Sequence, residues 1–407
     1  MSENSKKPRI RFSGFVDDWE QRKLGELGAT FTGLSGKTKE DFGHGDAEFI
    51  TYMNVFSNPI AAGDGTESVE IDESQNTVQY GDVLFTTSSE TPEEVGMSSV
   101  WLDNRVNVYL NSFCFGWRPT VKLDPNYLAF MLRSSAMRKK FTFLAQGISR
   151  YNISKNKVME MSVPVPTAEE QRSVGVFFAN LDSLITIHQQ KYDKAVNIKK
   201  AMLEKMFPKD GADRPEIRFA GFTDAWEQRK LYEVAEFNPK TALPDVFQYV
   251  DLESVLGTEL IANRTELRES APSRAQRLAE RGDIFYQTVR PYQKNNYLFD
   301  LPHNDYVFST GYAQMRPSID GRFLFSKLQE ERFVKTVLDR CTGTSYPAIN
   351  ATDLSEIEIG VPRDRAEQTQ IGLLFAALSD LLTLHQRKLE KLRNLKKAFL
   401  EKMFVSI

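Results

Sequence analysis

A chain of 407 residues, 41% hydrophobic and 26% charged, is long enough for two domains and has the average make-up of a globular protein, which excludes a disordered one. No apolar run reaches the roughly 18 residues that span a bilayer, and the basic start MSENSKKPRIRF leads into no signal-peptide core, so a cytoplasmic protein without membrane association is expected. Cys114 and Cys341 are too isolated for a disulfide framework or a zinc ribbon, and a net charge of −3 argues against coating nucleic acid by bulk electrostatics.

The first distinctive phrase is RFSGFVDDWEQRKL, from Arg11 to Leu24. Behind it come a polar loop, GLSGKTK, and two segments, NTVQYGDVLFTTSS and RVNVYLNSFCFGWRP, whose aromatic and β-branched residues between Gly, Pro, Asn and Asp read as strands. PNYLAFMLRSSAMRKKF reads as one helix capped by the DPNY at Asp124, GISRYN as a loop and MSVPVP as a strand. Leu181, Ile185, His188, Tyr192, Ala195, Ile198 and Met202 then step by three or four, the stripe of a single amphipathic helix. Its roughly 35 to 40 residues correspond to a length on the order of 50 to 60 Å. Pro166 fits an extended approach to this helix, and Pro208, Gly211 and Pro215 end it.

The chain then begins again. RFAGFTDAWEQRKL, Arg218 to Leu231, repeats the opening; GDIFYQTVRP and YVFSTGYAQMRP read as strands and GRFLFSKLQEERFVKTVL as one helix. Leu378, Leu382, His385, Leu389, Leu392, Leu395 and Phe399 repeat the helical stripe at a constant offset of 197, down to LEKMF, which ends both copies at Phe207 and Phe404. Between these ends the agreement is fainter but ordered: YGDVLFTT answers RGDIFYQT, Arg118-Pro119 answers Arg316-Pro317, and GIS at Gly147 answers GTS at Gly343. Units this long are not solenoid repeats.

The expected fold is α+β. Two tandem pseudo-repeats each form a globule followed by a long helix, divided as 8–165, 166–208, 209–361 and 362–404. A helix that long with a narrow apolar stripe needs a partner of matching pattern, and the other copy supplies one through Leu181, Ile185, His188 and Tyr192 against Leu378, Leu382, His385 and Leu389.

The search for catalysis returns little. GLSGKT has Phe31 where a P-loop needs its first Gly, and no zinc-protease, serine-hydrolase or paired-carboxylate pattern occurs. With four histidines, two of them in the helical stripes, no metal site is expected. Both middles instead carry Ser, Thr, Lys, Arg, Tyr and Gln in loops between strands, side chains suited to phosphate oxygens and base edges. The candidate DNA-contacting residues are Lys37, Thr38, Thr87, Ser88, Ser149, Arg150 and Tyr151 in the first copy. In the second they are Arg290, Tyr292, Gln293, Lys294, Ser345 and Tyr346.

The duplicated F-x-G-F-x-x-x-W-E-Q-R-K-L start, the GD-[VI]-[LF] strand, the G-x-S loop, the E-Q before each long helix and the LEKMF ending together resemble the DNA-specificity subunits of type I restriction-modification systems, over nearly the whole chain. The resemblance implies two target recognition domains that read the halves of a split, asymmetric sequence on double-stranded DNA, and long helices paired antiparallel as a spacer. It further implies that two adenine methyltransferase subunits dock, with motor-nuclease subunits added. S-adenosylmethionine, ATP and Mg would then sit on those partners, with no cofactor on this non-catalytic chain. The competing reading is a coiled-coil adaptor with two protein-binding globules and no DNA.

Overall fold

The structure, a computed structural model, describes residues 6–209, 211–343 and 345–405. The chain divides into two units, Met1–Gln189 with Arg387–Ile407, and Gln190–Gln386.

In the first unit a four-stranded antiparallel sheet runs in the order Gly28–Thr32, Cys114–Pro119, Val83–Thr86, Ser98–Val100. A second sheet places Phe42–Ile50 between Thr66–Val69 and Val108–Leu110, the last pairing being parallel. The alternation read as strands has its cause here: Val83 and Phe85 face the main core with Trp117 and Phe115, while Leu84 and Cys114 face a second cluster around Trp101. The opening phrase becomes a strand too, since Glu20–Lys23 pairs antiparallel with Ser162–Val165.

The second unit has the same order of pairings. Ala235–Phe237, Tyr312–Pro317, Ile284–Gln287 and Tyr297–Leu298 form one sheet, and Val246–Val250 lies between Arg264–Leu267 and Tyr306–Ser309 in another. Glu227–Lys230 pairs with Glu358–Val361.

Each segment expected as one helix is two. Pro125–Met131 and Ser135–Leu144 are separated by Ser134, whose extended backbone lets its hydroxyl accept from the Met137 amide. Gly321–Lys327 and Glu331–Asp339 are separated by the extended, buried Glu330, whose carboxylate is held by Lys327 and Arg332. At Ser134 a side-chain cap restarts the helix, and at Glu330 an extended residue held by two ion pairs interrupts it; hydrophobic periodicity is blind to both. The DPNY cap is as expected, with Asp124 Oδ1 accepting from the Tyr127 amide at 2.9 Å.

The long helices are Ala168–Lys205 and Arg365–Lys402, 38 residues each. The first unit contains the start of one and the end of the other: Phe177 meets Phe399 at 5.1 Å, and the Lys396 ammonium reaches Asp182 at 2.8 Å, so the two segments run in opposite directions. In the second unit Phe207 stacks on Phe375 at 5.8 Å and Lys199 reaches Ser379 at 2.9 Å, again antiparallel. The repeated LEKMF thus ends in a core each time: Phe404 packs against Trp19, Tyr127 and Phe178, and Phe207 against Trp226, Phe323 and Phe375. Among the described residues no helix is long and apolar enough to cross a membrane.

Candidate nucleic-acid interface

The repeated motifs form the frame that holds the loops. Glu170, 1% exposed, accepts two bonds from the Arg11 guanidinium at 2.6 and 2.7 Å and one from the Trp19 indole at 3.0 Å. Arg218, Trp226 and Glu367 repeat this at 2.7, 2.8 and 3.3 Å. The following Gln171 accepts from the Asp124 amide and donates to the Pro166 carbonyl, and Gln368 does the same for Asp320 and Pro362. Charge-assisted, bidentate bonds of this kind fix orientation strongly in a buried site.

A second repeated device fixes the central strand. Gly81 and Gly282 take positive φ, and the buried Asp that follows each holds an arginine of the neighbouring strand. Asp82 pairs with Arg118 at 2.8 and 2.6 Å, and Asp283 with Arg316 at 2.9 and 3.0 Å. The matched GD and RP dipeptides were legible as repeats; that they pair was missed, although their joint recurrence is the signal that could have shown it.

From this strand the chain passes to the loops. Beyond Val83–Thr86, Ser88–Ser89 pairs with Tyr151–Asn152, and the Ile153 amide donates to the Thr87 carbonyl. The G-x-S loop is thereby folded onto the end of the central strand. Gly147 at φ 144° makes this possible: a Cβ there would lie 2.1 Å from the Arg150 carbonyl oxygen. The second unit uses the same bonds, with Ile349 donating to the Thr288 carbonyl, Arg290 to the Pro347 carbonyl, and Gly343 at φ 87°.

Eight of the expected contact residues, Thr87, Ser88, Ser149, Arg150, Tyr151, Arg290, Ser345 and Tyr346, gather at these two places, and the remainder lie beside them or apart. Arg150 donates to the Ser88 hydroxyl at 3.2 Å, the Thr87 hydroxyl donates to the Phe113 carbonyl, Ser149 is exposed and Tyr151 half-buried. Tyr52, not singled out from sequence, holds the Ser88 carbonyl at 2.7 Å; nothing local marks it. Its phenol pKa is raised by burial. In the second unit the Arg290 guanidinium lies over the Tyr346 ring at 4.5 Å, and Ser345 is exposed next to it. Arg290 and Lys294 both take left-handed backbone, at φ 55° and 54°, around the turn Pro291–Gln293 that carries the exposed Tyr292. Such strain in non-glycine residues persists where the surroundings enforce it. Gln293 accepts from the buried Gln287, and Lys294 is paired with Glu331 at 2.6 Å. Lys37 and Thr38 belong to a separate cluster: Lys37 pairs with Asp72 at 2.8 Å, and Thr38 with Asp41 across one turn. The Lys37 ammonium and the Ser74 bonds hold the Asp72 carboxyl below its ordinary range.

On the long helices Leu181, His188, His385 and Leu389 are buried, and Ile185, Tyr192, Leu378 and Leu382 partly so. Sequence reading missed Val176, Leu184 and Ile187, exposed on one helix, and Leu373, Leu381 and Leu384, at the same offset of 197, on the other; Ile198 and Leu395 of the expected stripes are exposed with them. Among the described residues no group of three or more His, Cys, Asp or Glu could hold a metal. Cys114 is buried, its thiol pushed up to about 12 by desolvation, and is correspondingly unreactive.

Comparison with known proteins places this frame. Residues 16–196 match the type I restriction modification DNA specificity domain. The chain is 21% identical to the chain named as the MjaX type I restriction enzyme specificity subunit of Methanocaldococcus jannaschii, over 97% of this chain and 94% of that one. It is likewise 21% identical to the MjaVIII type I restriction enzyme specificity subunit of the same organism, over 94% and 91%. Its fold is similar to the crystal structure of the type I restriction-modification system S subunit from M. genitalium, with a TM-score of 0.60 at 15% identity, over 98% and 99%. Residues 16–196 thus match the specificity-domain model, and nearly the whole chain is similar to specificity subunits of type I restriction-modification systems.

Proposed function

We propose that the chain is the non-catalytic reader of a bipartite, asymmetric DNA target, one half-site per unit, and directs adenine methylation and restriction by partner subunits in the cytoplasm. The observation that carries this reading is the pair of G-x-S loops, seated by the same backbone bonds on the same strand in both units while their side chains differ. One frame with two sets of polar groups suits two different half-sites on one duplex. In this reading the globules 8–165 and 209–361 are the target recognition domains, and the helices 166–208 and 362–404 pair as an antiparallel coiled coil that sets the spacing. Thr87, Ser88, Ser149, Arg150 and Tyr151 face one half-site, with Lys37 and Thr38 on its flank; Arg290, Tyr292, Gln293, Lys294, Ser345 and Tyr346 face the other. The exposed aliphatic stripe repeated on both helices supports docking of two copies of one partner, the methyltransferase subunit, to which motor-nuclease subunits are added. S-adenosylmethionine, ATP and Mg belong to those partners.

The test is a map of methylated adenines in a host making this chain with its methyltransferase. A split motif is expected, and exchanging residues 20–160 changes one half of it only. Co-purification of the two proteins without new methylation would instead establish the adaptor.

Asp72→Asn probes the flank. It removes a negative charge and frees Lys37 for a phosphate, so affinity of the assembled complex at low salt rises several-fold, and the slope of log K against log salt steepens by up to about 0.9. Acidification does not mimic it: because the Asp72 pKa is depressed, the ion pair is kept as pH falls to the ordinary carboxylate value and is lost only below it. An unchanged salt slope removes Lys37 from the interface.

A further inference from the structure

Each unit has a groove between its two long-helix segments and its pair of short helices. The groove of the first unit has a volume of about 490 Å³ and that of the second about 710 Å³. Their linings correspond at the offset of 197: Lys396, Lys397 and Leu400 in the first are Lys199, Lys200 and Leu203 in the second.

Several exchanges separate them: Arg133, Ser135 and Arg393 of the first lining give way to Gln329, Glu331 and Val196 in the second, and a carboxylate facing the shared lysine is lost. In the first groove the Asp182 carboxylate pairs with Lys396 at 2.5 Å, and the Phe130 ring lies 5.5 Å from the same ammonium. The second groove has Ser379 where Asp182 would be and, aligning the short helices on their caps Asp124 and Asp320, Ser326 at the position of Phe130. Lys199 therefore has a hydroxyl at 2.9 Å in place of a carboxylate. Its burial, with the charge of Lys294 adding, lowers its pKa, the mark of an ammonium that lacks compensation.

Two further donors are orphaned there. Gln329, 9% exposed, has a buried Nε2 with no hydrogen-bond partner among the described residues, and so has Arg332 Nη1. Both residues line the groove. The three acids of the lining do not serve them: Glu331 holds Lys294, Glu330 lies between Lys327 and the other end of Arg332, and Glu204 accepts from neither donor. Buried donors without acceptors are rare in folded proteins and mark a site for a group that supplies the acceptor.

We propose that the groove of the second unit is a binding site for a small organic anion, whose carboxylate or phosphate occupies the place that Asp182 fills in the first. Lys199 and Gln329 donate to the anion, Lys200 adds charge at the rim, and Val196, Leu203 and Leu382 receive an apolar body. The site is distinct from the proposed DNA-reading loops but adjoins one of them, because the Gln329 carbonyl accepts from Lys294 at 3.3 Å.

Isothermal titration of the full chain with hexanoate, hexyl phosphate and hexanol tests this directly. One equivalent of hexanoate or hexyl phosphate is expected to bind, the tighter of the two identifying the anion, with hexanol at least tenfold weaker. Ser379→Asp, which installs the internal carboxylate, and Lys199→Met should each weaken anion binding tenfold or more. Asp182→Ser should raise the stoichiometry from one to two. Ser379→Asp should also raise the melting temperature, showing that its loss of binding is not unfolding. The absence of saturable binding by either anion, or affinities within twofold of the parent in both Ser379→Asp and Lys199→Met, overturns the proposal. None of these readouts depends on DNA recognition.

Discussion

Phe404→Ala, three residues from the end of the chain, is expected to destabilise the N-terminal globule. Phe404 is 2% exposed and contacts Trp19, Tyr127 and Phe178, all of the first unit, while Met403 and Val405 are buried in the same cluster. Truncating a buried Phe costs about 3–5 kcal/mol from lost transfer and the cavity left behind. A domain has only about 5–15 kcal/mol in hand, so the melting temperature of that unit should drop on the order of 10 °C. Hydrogen exchange resolved by peptide locates the effect: protection falls across residues 12–165 and holds across 218–360. Phe207→Ala gives the converse, since its partners Trp226, Phe323 and Phe375 belong to the second unit. Loss of protection in the wrong unit would contradict the packing described here.

Glu170→Ala should cost about 3–5 kcal/mol, because it leaves the Arg11 guanidinium, only 13% exposed, and the Trp19 indole without their acceptor. The double variant Arg11→Met with Glu170→Met should be less damaging than Glu170→Ala alone. Removing both charges removes the desolvation cost along with the attraction, and the Met side chains fill the space. Glu367→Ala and the Arg218→Met, Glu367→Met pair should reproduce the pattern in the second unit. Thermal melts of the four variants decide it: a loss in each double variant as large as in the matching Glu→Ala variant would mean that the cluster contributes packing alone.

The periodic and the repeated parts of the fold were legible. Both 38-residue helices follow from apolar steps of three and four, and the strands around GDVLF and GDIFY from short β-branched runs between turn residues. The breaks at Ser134 and Glu330 were not read, because a single capping hydroxyl in one and two ion pairs in the other interrupt the helix while leaving the hydrophobic period intact. Of the loop residues, the sequence located those of the G-x-S turns and the Arg290–Lys294 turn, since matched positions with different polar residues stand out between copies. It could not tell that Lys37 is already paired with Asp72, 35 positions away, or that Arg290 lies over Tyr346.

What the sequence by itself determined is the duplicated frame, the element types and the resemblance to specificity subunits, all properties of local pattern and of comparison between two copies of one text. What only the tertiary structure decided is what the copied words do. Arg11 and Trp19 meet Glu170 across about 150 residues, and the same LEKMF closes a different core each time. Asp182 faces Lys396 in one groove, whereas the corresponding lysine of the other, Lys199, faces the hydroxyl of Ser379. Such pairings depend on which surfaces the folded chain brings within a few ångströms, a distance that separation along the sequence does not encode.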